Sequence, residues 1–456
     1  MKHAHLVGIG GSGLSAIASV LLDNGWNVSG CDTSVSASAH ALAQRGVRIY
    51  QAHSPGHVEG VDVVLISSAI ASDNPEIASA RARGIPVQKR AEFLGGYLAG
   101  RQVVAVAGTH GKTTTTGLIA FMLDRAGLDP SFIVGGVLAD YGANARSGAS
   151  AIFVIEADEY DGMFLGLSPS VAVVTSVEHD HPDCFPTPEA MQEAYRQFSQ
   201  RVAPGGHLIV CADDPRAMDI GEVASRSGTR VSYYGLNRQA EWKADAIQSN
   251  SAGGSDFLVV RGRQTLGLAR SRLPGLHNVA NSLAAFAVAD HFQVGFNAAR
   301  GALAEFRGVG RRFEFKGEAR GVIVVDDYAH HPTEIRATLA AARRRYPGRA
   351  IWAMFQPHTF SRTRALLADF AASFRDADHV VVTEIFRARE KDDPTLSGRD
   401  ILARMDHSDA RYISRLDEAA DDLAARLESG DVLITLSAGD GHTVGEKVLE
   451  KLGSKR

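Results

Sequence analysis

The stretch 102–118, QVVAVAGTHGKTTTTGL, constrains the fold more than any other part of the chain. A short β-branched run (Val103, Val104, Ala105, Val106) ends in a polar turn containing Gly108 and Gly111, followed by Lys112, a run of threonines and an apolar segment from Leu118 to Leu123. Strand, glycine loop, Lys-Thr and helix in that order make a phosphate-binding loop, whose backbone amides close around phosphate oxygens. Lys112 is placed to meet the β- and γ-phosphates, and the Thr113 hydroxyl to meet Mg²⁺. The full motif has a further glycine five residues before Gly111, where this chain has Val106, so the loop is a shortened variant. Gly108, Thr109, His110, Gly111, Lys112, Thr113 and Thr114 are the expected cradle of a nucleoside triphosphate.

A second glycine loop opens the chain. Ala4 to Ile9 reads as a buried strand, and Gly8, Gly10 and Gly13, with Gly11 and Ser12 between them, satisfy GxGxxG before an apolar helix pattern. A second strand ends at Asp32, at the distance where an acidic residue meets a ribose hydroxyl. This βαβ context implies a diphosphate ligand without saying which: NAD and UDP-sugars both offer a pyrophosphate and a ribose. Ser67, Ser68 and Ala69 follow a further strand and suit a loop lining the same crevice.

A chain of 456 residues is too long for one core. Hydrophobic content of 45%, charged content of 22% and a net charge of -4 describe an ordinary globular protein, with no electrostatic case for nucleic acid or an anionic membrane. No apolar run reaches the ~18 residues of a membrane span, and the N-terminus enters a strand directly, so a cytoplasmic location is expected. The three cysteines lack CxxC spacing, and neither a disulfide framework nor a zinc site is expected.

Further along, AIFVIEADEYD (151–161) is a strand running into carboxylates, and Glu156 at its end is the expected Mg²⁺ ligand. Of the two histidines in EHDHPD (178–183), His181 has the better claim to a ligand role. Asn278 and Asn281 share a helix face, where their amides could read a purine edge, but the residues alone favour helix capping. Gly95, Gly96 and Gly100 are expected to weaken regular structure and end the first domain, and the basic GVGRRF segment (308–313) reads as a hinge into the third. There, polar clusters at successive strand ends (DDYAHHP, QPHTFSR, SAGDG) define one crevice of a doubly wound sheet.

Taken together, HLVGIGGSG, SSAIASDNPE, AGTHGKTTTT, EADEYD, EHDHPD, HNVAN, GVGRRFE, DDYAHHPTE, QPHTFSRT and SAGDG resemble the Mur ligase family of peptidoglycan synthesis over essentially the whole chain. The resemblance implies an α/β protein of three domains: Rossmann-like (1–100), binding UDP-N-acetylmuramate; central, P-loop ATPase-like (101–310), binding ATP; and C-terminal Rossmann-like α/β (311–456), binding the amino acid. It implies a UDP diphosphate, rather than NAD, on the Gly8 to Gly13 loop. It implies catalytic Lys112, Glu156, His181 and Asp327; metal ligands Thr113, Glu156 and His181 for Mg²⁺, with Mn²⁺ able to substitute; and Asn278, Asn281 and Arg312 at the nucleotide. Tyr328, His330 and Arg362 line the amino-acid pocket, and L-alanine is the implied co-substrate, joined through an acyl phosphate.

Two positions depart from the alanine-adding pattern. Tyr160 replaces a common Ser, as in the tripeptide-recycling members, and Thr359 stands where some members carry an Arg for the amino-acid carboxylate. No lysine occurs between Lys112 and Lys243, so the carbamylated lysine that holds a second Mg²⁺ in later-acting members has no counterpart. That absence favours the alanine-adding or tripeptide-recycling branch.

Overall fold

A computed structural model describes residues 1–33 and 36–454. Three sheets follow one another along the chain. The first joins β1 (His3–Val7), β2 (Asn27–Cys31), β3 (Arg48–Tyr50), β4 (Val63–Ile66) and β5 (Val87–Lys89) in the all-parallel order β3-β2-β1-β4-β5. The order reverses between β1 and β4, so the glycine loop after β1 opens into the crevice where such sheets bind ligands.

The second sheet takes β6 (Gln102–Ala107), β7 (Ser131–Leu138), β8 (Ala143–Arg146), β9 (Ile152–Glu156), β10 (Val171–Val174), β11 (His207–Cys211), β12 (Arg230–Gly235), β13 (Trp242–Ser249), β14 (Ser255–Arg261) and β15 (Gln264–Ser271). Its order is β15-β14-β13-β12-β11-β10-β6-β9-β7-β8. Strand β6 lies between β10 and β9, all parallel, and their apolar runs are buried on both faces. That arrangement sets the phosphate loop beside the carboxyl ends of both neighbours. The polar segment 249–271 forms the antiparallel end of the sheet.

The third sheet comprises β16 (Glu314–Ala319), β17 (Val322–Asp327), β18 (Ile351–Gln356), β19 (His379–Val382), β20 (Ala410–Tyr412) and β21 (Val432–Ser437), in the order β16-β17-β21-β18-β19-β20, with only β16 antiparallel. Among the described residues no helix is long and apolar enough to cross a membrane.

Gly95 and Gly96 do not interrupt structure: both lie inside the helix Arg90–Tyr97. Close packing explains Gly95, where a Cβ would stand 2.7 Å from the Gly166 carbonyl oxygen. The helix is therefore pressed against the 3₁₀ segment Tyr160–Gly166 of the central unit. The helix after the phosphate loop begins at Lys112, takes in the threonine run and continues to Arg125.

The packing between units is unequal. Ile17, Leu21, Phe93 and Leu94 of the first unit share one apolar core with Ala105, Phe153, Ile155 and Phe164 of the central unit. The third unit has separate cores on its two sheet faces. It meets the central unit through polar pairs such as His110–Glu334 and Arg362–Asp180. A polar interface of this kind separates and re-forms more readily than a shared core, which makes the third unit the one able to swing.

Candidate active site

One crevice of about 1340 Å³ runs between the three sheets, lined by the loops after β1, β4, β6, β9 and β17 among others. Its volume exceeds the ~300–1,000 Å³ of an ordinary small-molecule pocket and suits more than one ligand.

The phosphate loop supplies its centre. Gly111 has φ of +78°, a left-handed conformation that costs a residue with a side chain about 1–2 kcal/mol. A Cβ there would also stand 2.9 Å from Asn281 Oδ1. From this turn the amides at the start of helix Lys112–Arg125 are presented to the crevice. Lys112 Nζ donates to the carbonyls of Gly108 (2.5 Å) and Thr109 (3.3 Å) and to Glu159 Oε1 (2.9 Å). Burial opposes the lysine charge, yet Glu159, Asp158 and Glu156 together raise its ammonium above the usual lysine value. The loop thus carries a fixed cation.

At the end of β9, Glu156 accepts from the Thr113 hydroxyl at 3.0 Å and from the Gly135 amide at 2.6 Å. A carboxylate and a hydroxyl converging beside a phosphate loop are the oxygen donors a hard divalent cation requires. His181 lines the same crevice, its ring edge-on to Tyr160 at 5.2 Å. Asn278 and Asn281 are buried in the first turns of helix Leu276–His291 and do not cap it. Asn278 Nδ2 donates to the Pro274 carbonyl and Asn281 Nδ2 to Asn278 Oδ1. Asn281 packs behind the phosphate loop at Gly111, and Asn278 holds it there.

In the first domain, Gly8, Gly11, Ser12, Gly13, Ser67, Ser68 and Ala69 all line the crevice. Asp32 stands behind them, accepting from the Gly10 amide at 2.9 Å and so fixing the turn. Sequence reasoning missed Arg90, which lies over the loop so closely that a Cβ on Gly13 would sit 2.3 Å from its guanidinium. Arg90 also pairs with Asp158 of the central unit at 3.2 Å. Nothing in its local sequence marks it, because its partners are distant in the chain.

The third domain closes the crevice. Asp327, buried at the end of β17, accepts from the amides of Phe313 and Ala329, both at 2.8 Å, pinning the 308–313 linker to the sheet. Burial lifts its carboxyl to about 6, with Arg312 and the two amides opposing. Arg312 lies over the Tyr328 ring at 5.1 Å and reaches toward the Thr113 hydroxyl at 3.4 Å. His330 Nδ1 is 2.8 Å from the Tyr328 carbonyl, and burial pushes its imidazole down to about 3, so the ring is neutral near pH 7. With Nδ1–H donating to that carbonyl, Nε2 carries the lone pair. Arg362 donates through Nε to Asp180 Oδ1 at 2.7 Å and through Nη1 to the His358 carbonyl at 2.7 Å, leaving Nη2 for another acceptor. Both partners of the Arg362–Asp180 pair are more than nine-tenths buried.

His110 forms a second bridge between units, with Nε2 2.8 Å from Glu178 and Nδ1 3.3 Å from Glu334. Burial disfavours its charge, but hydrogen bonds to the two carboxylates outweigh that and raise the imidazole to about 9. A group raised in this way holds the units together fully below its ordinary value near 6.5 and loses that hold as pH rises through about 9. The third domain is expected to loosen between pH 8 and pH 10, read as a rise in radius of gyration by small-angle scattering. His110→Gln should show the looser value at all pH; a wild-type radius that stays constant while the variant matches it would remove His110 from this role.

The two departures from the alanine-adding pattern also have structural partners. The Tyr160 hydroxyl donates to Asp183 at 3.0 Å, and Arg389 lies over its ring at 4.7 Å. Thr359 donates to Glu390 at 2.7 Å, and the same carboxylate accepts from the Ser361 amide. Thr359 is thus part of the frame of its loop.

Comparison with known proteins matches three successive families: Mur ligase family, catalytic domain (residues 3–102); Mur ligase middle domain (106–289); and Mur ligase, glutamate ligase domain (311–439). The UDP-N-acetylmuramate–L-alanine ligase of Roseiflexus sp. (strain RS-1) is 45% identical over 468 aligned residues, covering 99% of each chain. The solved UDP-N-acetylmuramate-alanine ligase of Thermotoga maritima superposes with a TM-score of 0.84 at 27% identity, covering all of both chains. A murein peptide ligase from Psychrobacter arcticus, also covered completely, gives 0.73 at 26% identity. With two glycine loops on adjoining sheets, a third domain closing over both, and full-length relatives on this plan, the chain belongs to the Mur ligase family.

Proposed function

We propose that the chain ligates L-alanine to the lactyl carboxylate of UDP-N-acetylmuramate at the expense of ATP. The observation that carries this reading is the convergence, in one crevice, of a phosphate loop with a fixed lysine, a diphosphate-type glycine loop and a neutral histidine from the closing domain. The identity over the whole chain to alanine-adding relatives favours alanine over a tripeptide as the second substrate. The domains divide as 1–100 for UDP-N-acetylmuramate, 101–310 for ATP and 311–456 for the amino acid.

The reaction has two steps. A carboxylate oxygen of UDP-N-acetylmuramate attacks the γ-phosphorus of ATP, the bond to ADP breaks, and an acyl phosphate forms. The alanine amine then attacks the acyl carbon, the amide bond forms, and inorganic phosphate leaves with the oxygen that came from the carboxylate. The amine must shed a proton as it attacks; His330, neutral near pH 7, offers its Nε2 lone pair as a hydrogen-bond acceptor that orients the amine. Little covalent chemistry falls to the protein, so charge neutralisation and positioning dominate. Lys112 exchanges its contacts with Gly108 and Glu159 for phosphate oxygens, while the amides after Gly111 hold the transferred group. Thr113, Glu156 and His181 would hold Mg²⁺, which neutralises charge between the β- and γ-phosphates when bound. Asn278 and Asn281 stand on the adenine side, and Arg312 joins the nucleotide as the third domain closes. Arg90 meets the UDP diphosphate. Arg362 Nη2 and Arg389 supply cations for the alanine carboxylate, with Tyr328 walling the pocket.

Purified protein with ATP, Mg²⁺ and UDP-N-acetylmuramate should release phosphate only when L-alanine is present. Release with the L-Ala-γ-D-Glu-diaminopimelate tripeptide but not with alanine would replace this reading by the muropeptide-recycling one. His330→Gln should raise the KM for alanine at least ~10-fold more than that for ATP; equal effects on both would take His330 out of the amino-acid pocket.

A further inference from the structure

Behind the first glycine loop, on the β1–β2 side of the sheet, four separate elements bring metal-binding side chains together. His5 comes from β1, Cys31 from the end of β2, His53 from the segment after β3, and Glu76 from the helix Pro75–Ala82. Cys31 Sγ is 2.8 Å from Glu76 Oε2 and 3.1 Å from His53 Nδ1, and His53 Nδ1 is 2.9 Å from the same carboxylate oxygen. His5, completely buried, aims Nε2 at the other oxygen of the same carboxylate, 3.5 Å from Glu76 Oε1, and that nitrogen has no hydrogen-bond partner. The donor atoms of His5, Cys31 and Glu76 all lie within 4.8 Å of one another.

We propose that His5, Cys31 and Glu76, joined by His53 moving in from the exposed rim, form a tetrahedral site for a borderline divalent transition-metal ion of the Zn²⁺ type. Tetrahedral zinc with bonds of about 2.0–2.3 Å holds its donors about 3.3–3.7 Å apart, so an ion would draw in the His5, Cys31 and Glu76 donors, which lie within 4.8 Å of one another, and turn the rim residue His53 toward them. Two imidazoles, a thiolate and a carboxylate are the ligand types such ions select. With the Cys31 proton released, the ligand charges sum with the ion to zero, so the buried site carries no net charge.

The outer contacts also match a metal site. His5 Nδ1 is 2.9 Å from Ser29 Oγ, which fixes the ring with Nε2 pointing inward. The other carboxylate oxygen, Glu76 Oε1, lies 2.6 Å from His57 Nδ1, so Oε2 is left to the cluster. His53 is partly exposed and offers a way in. Binding replaces the thiol proton of Cys31 with the metal bond and releases that proton to solvent. Sequence spacing could not reveal the site, because no two of its ligands lie within one short motif.

An ion here would also steady the substrate loop, since the Cys31 carbonyl accepts from the amides of Gly8 and Ile9. The site lies apart from the Thr113, Glu156 and His181 set and, among the described residues, is the one His/Cys/Asp/Glu cluster that includes a cysteine.

The test uses full-length protein stripped with chelator and titrated with Zn²⁺ and, separately, Co²⁺. One tightly held equivalent of Zn²⁺ is expected, with a melting temperature that rises with free Zn²⁺. Co²⁺ should give a sulfur-to-cobalt charge-transfer band with intense visible bands of a tetrahedral ion. Cys31→Ser should lose the band, and His53→Gln, at the exposed rim, should weaken zinc binding even if Cys31→Ser folds poorly. Ser29→Ala should weaken it about 10–100-fold. Cys184→Ser should keep the band. Absence of the band in the wild-type protein, its loss in Cys184→Ser rather than Cys31→Ser, or unchanged zinc affinity in folded His53→Gln would each overturn the proposal.

Discussion

Lys112→Ala is expected to reduce ATP turnover by about 10³-fold or more while leaving UDP-N-acetylmuramate affinity within a few fold of wild type. A single preorganised donor at a developing anion is worth about 10²–10³ in rate, and Lys112 adds a full charge to that. The diphosphate loop of the first domain lies on a different sheet, so its ligand should scarcely sense the change. The variant carries a stability cost of its own. Glu159 is buried, its carboxyl already pushed up by burial against the pull of Lys112, and removing the lysine leaves it without its ion-pair partner. Breaking such a pair costs about 3–5 kcal/mol. Lys112→Ala with Glu159→Gln should therefore regain most of the lost melting temperature and none of the turnover. Loss of UDP-N-acetylmuramate binding by the folded double variant would contradict the division of labour between the loops.

Arg362→Ala should have the second largest effect, for two separable reasons. Its pairing with Asp180 is buried and joins the third domain to the central one, so truncation weakens closure. Burial opposes the Asp180 charge, but Arg362 and His181 hold its carboxyl well below the usual aspartate range. The stabilisation from this pair is therefore complete above the ordinary value near 4 and is lost only as the protein is taken to strongly acidic pH. Arg362→Ala should also remove the Nη2 donor from the alanine carboxylate, raising the KM for alanine by about 10²-fold and that for ATP much less. Arg362→Met with Asp180→Leu removes both buried charges and should restore closure, since replacing a buried pair by apolar groups is often neutral. The alanine KM should stay high in that double variant. If it returns to the wild-type value, Arg362 acts only in closure.

Much of this site was legible in the sequence, and the reason is local. The two glycine loops, Glu156 at the end of β9 and the Asp327-Tyr328 strand end are each written in a few consecutive residues whose backbone geometry follows from strand, turn and helix signals. What stayed hidden depends on contacts across the chain. Arg90 acquires meaning only beside Gly13 and Asp158, and His110 only between Glu178 and Glu334. The role of Gly95 was misjudged because a glycine chosen for close helix packing looks, in sequence, like one chosen to end a helix. Asn278 and Asn281 carried a capping signature but do not cap their helix; Asn278 bonds the Pro274 carbonyl, and Asn281 packs behind Gly111, a neighbour 170 residues away in the chain.

The most direct test of the ligase reading follows oxygen. UDP-N-acetylmuramate labelled with ¹⁸O in its lactyl carboxylate would be incubated with the protein, ATP, Mg²⁺ and L-alanine, and the released phosphate analysed by mass spectrometry. One ¹⁸O per phosphate, released only in the presence of L-alanine and matched by the UDP-N-acetylmuramoyl-L-alanine product, is the result expected from an acyl phosphate. Unlabelled phosphate, or labelled phosphate that appears only with the tripeptide, would contradict it.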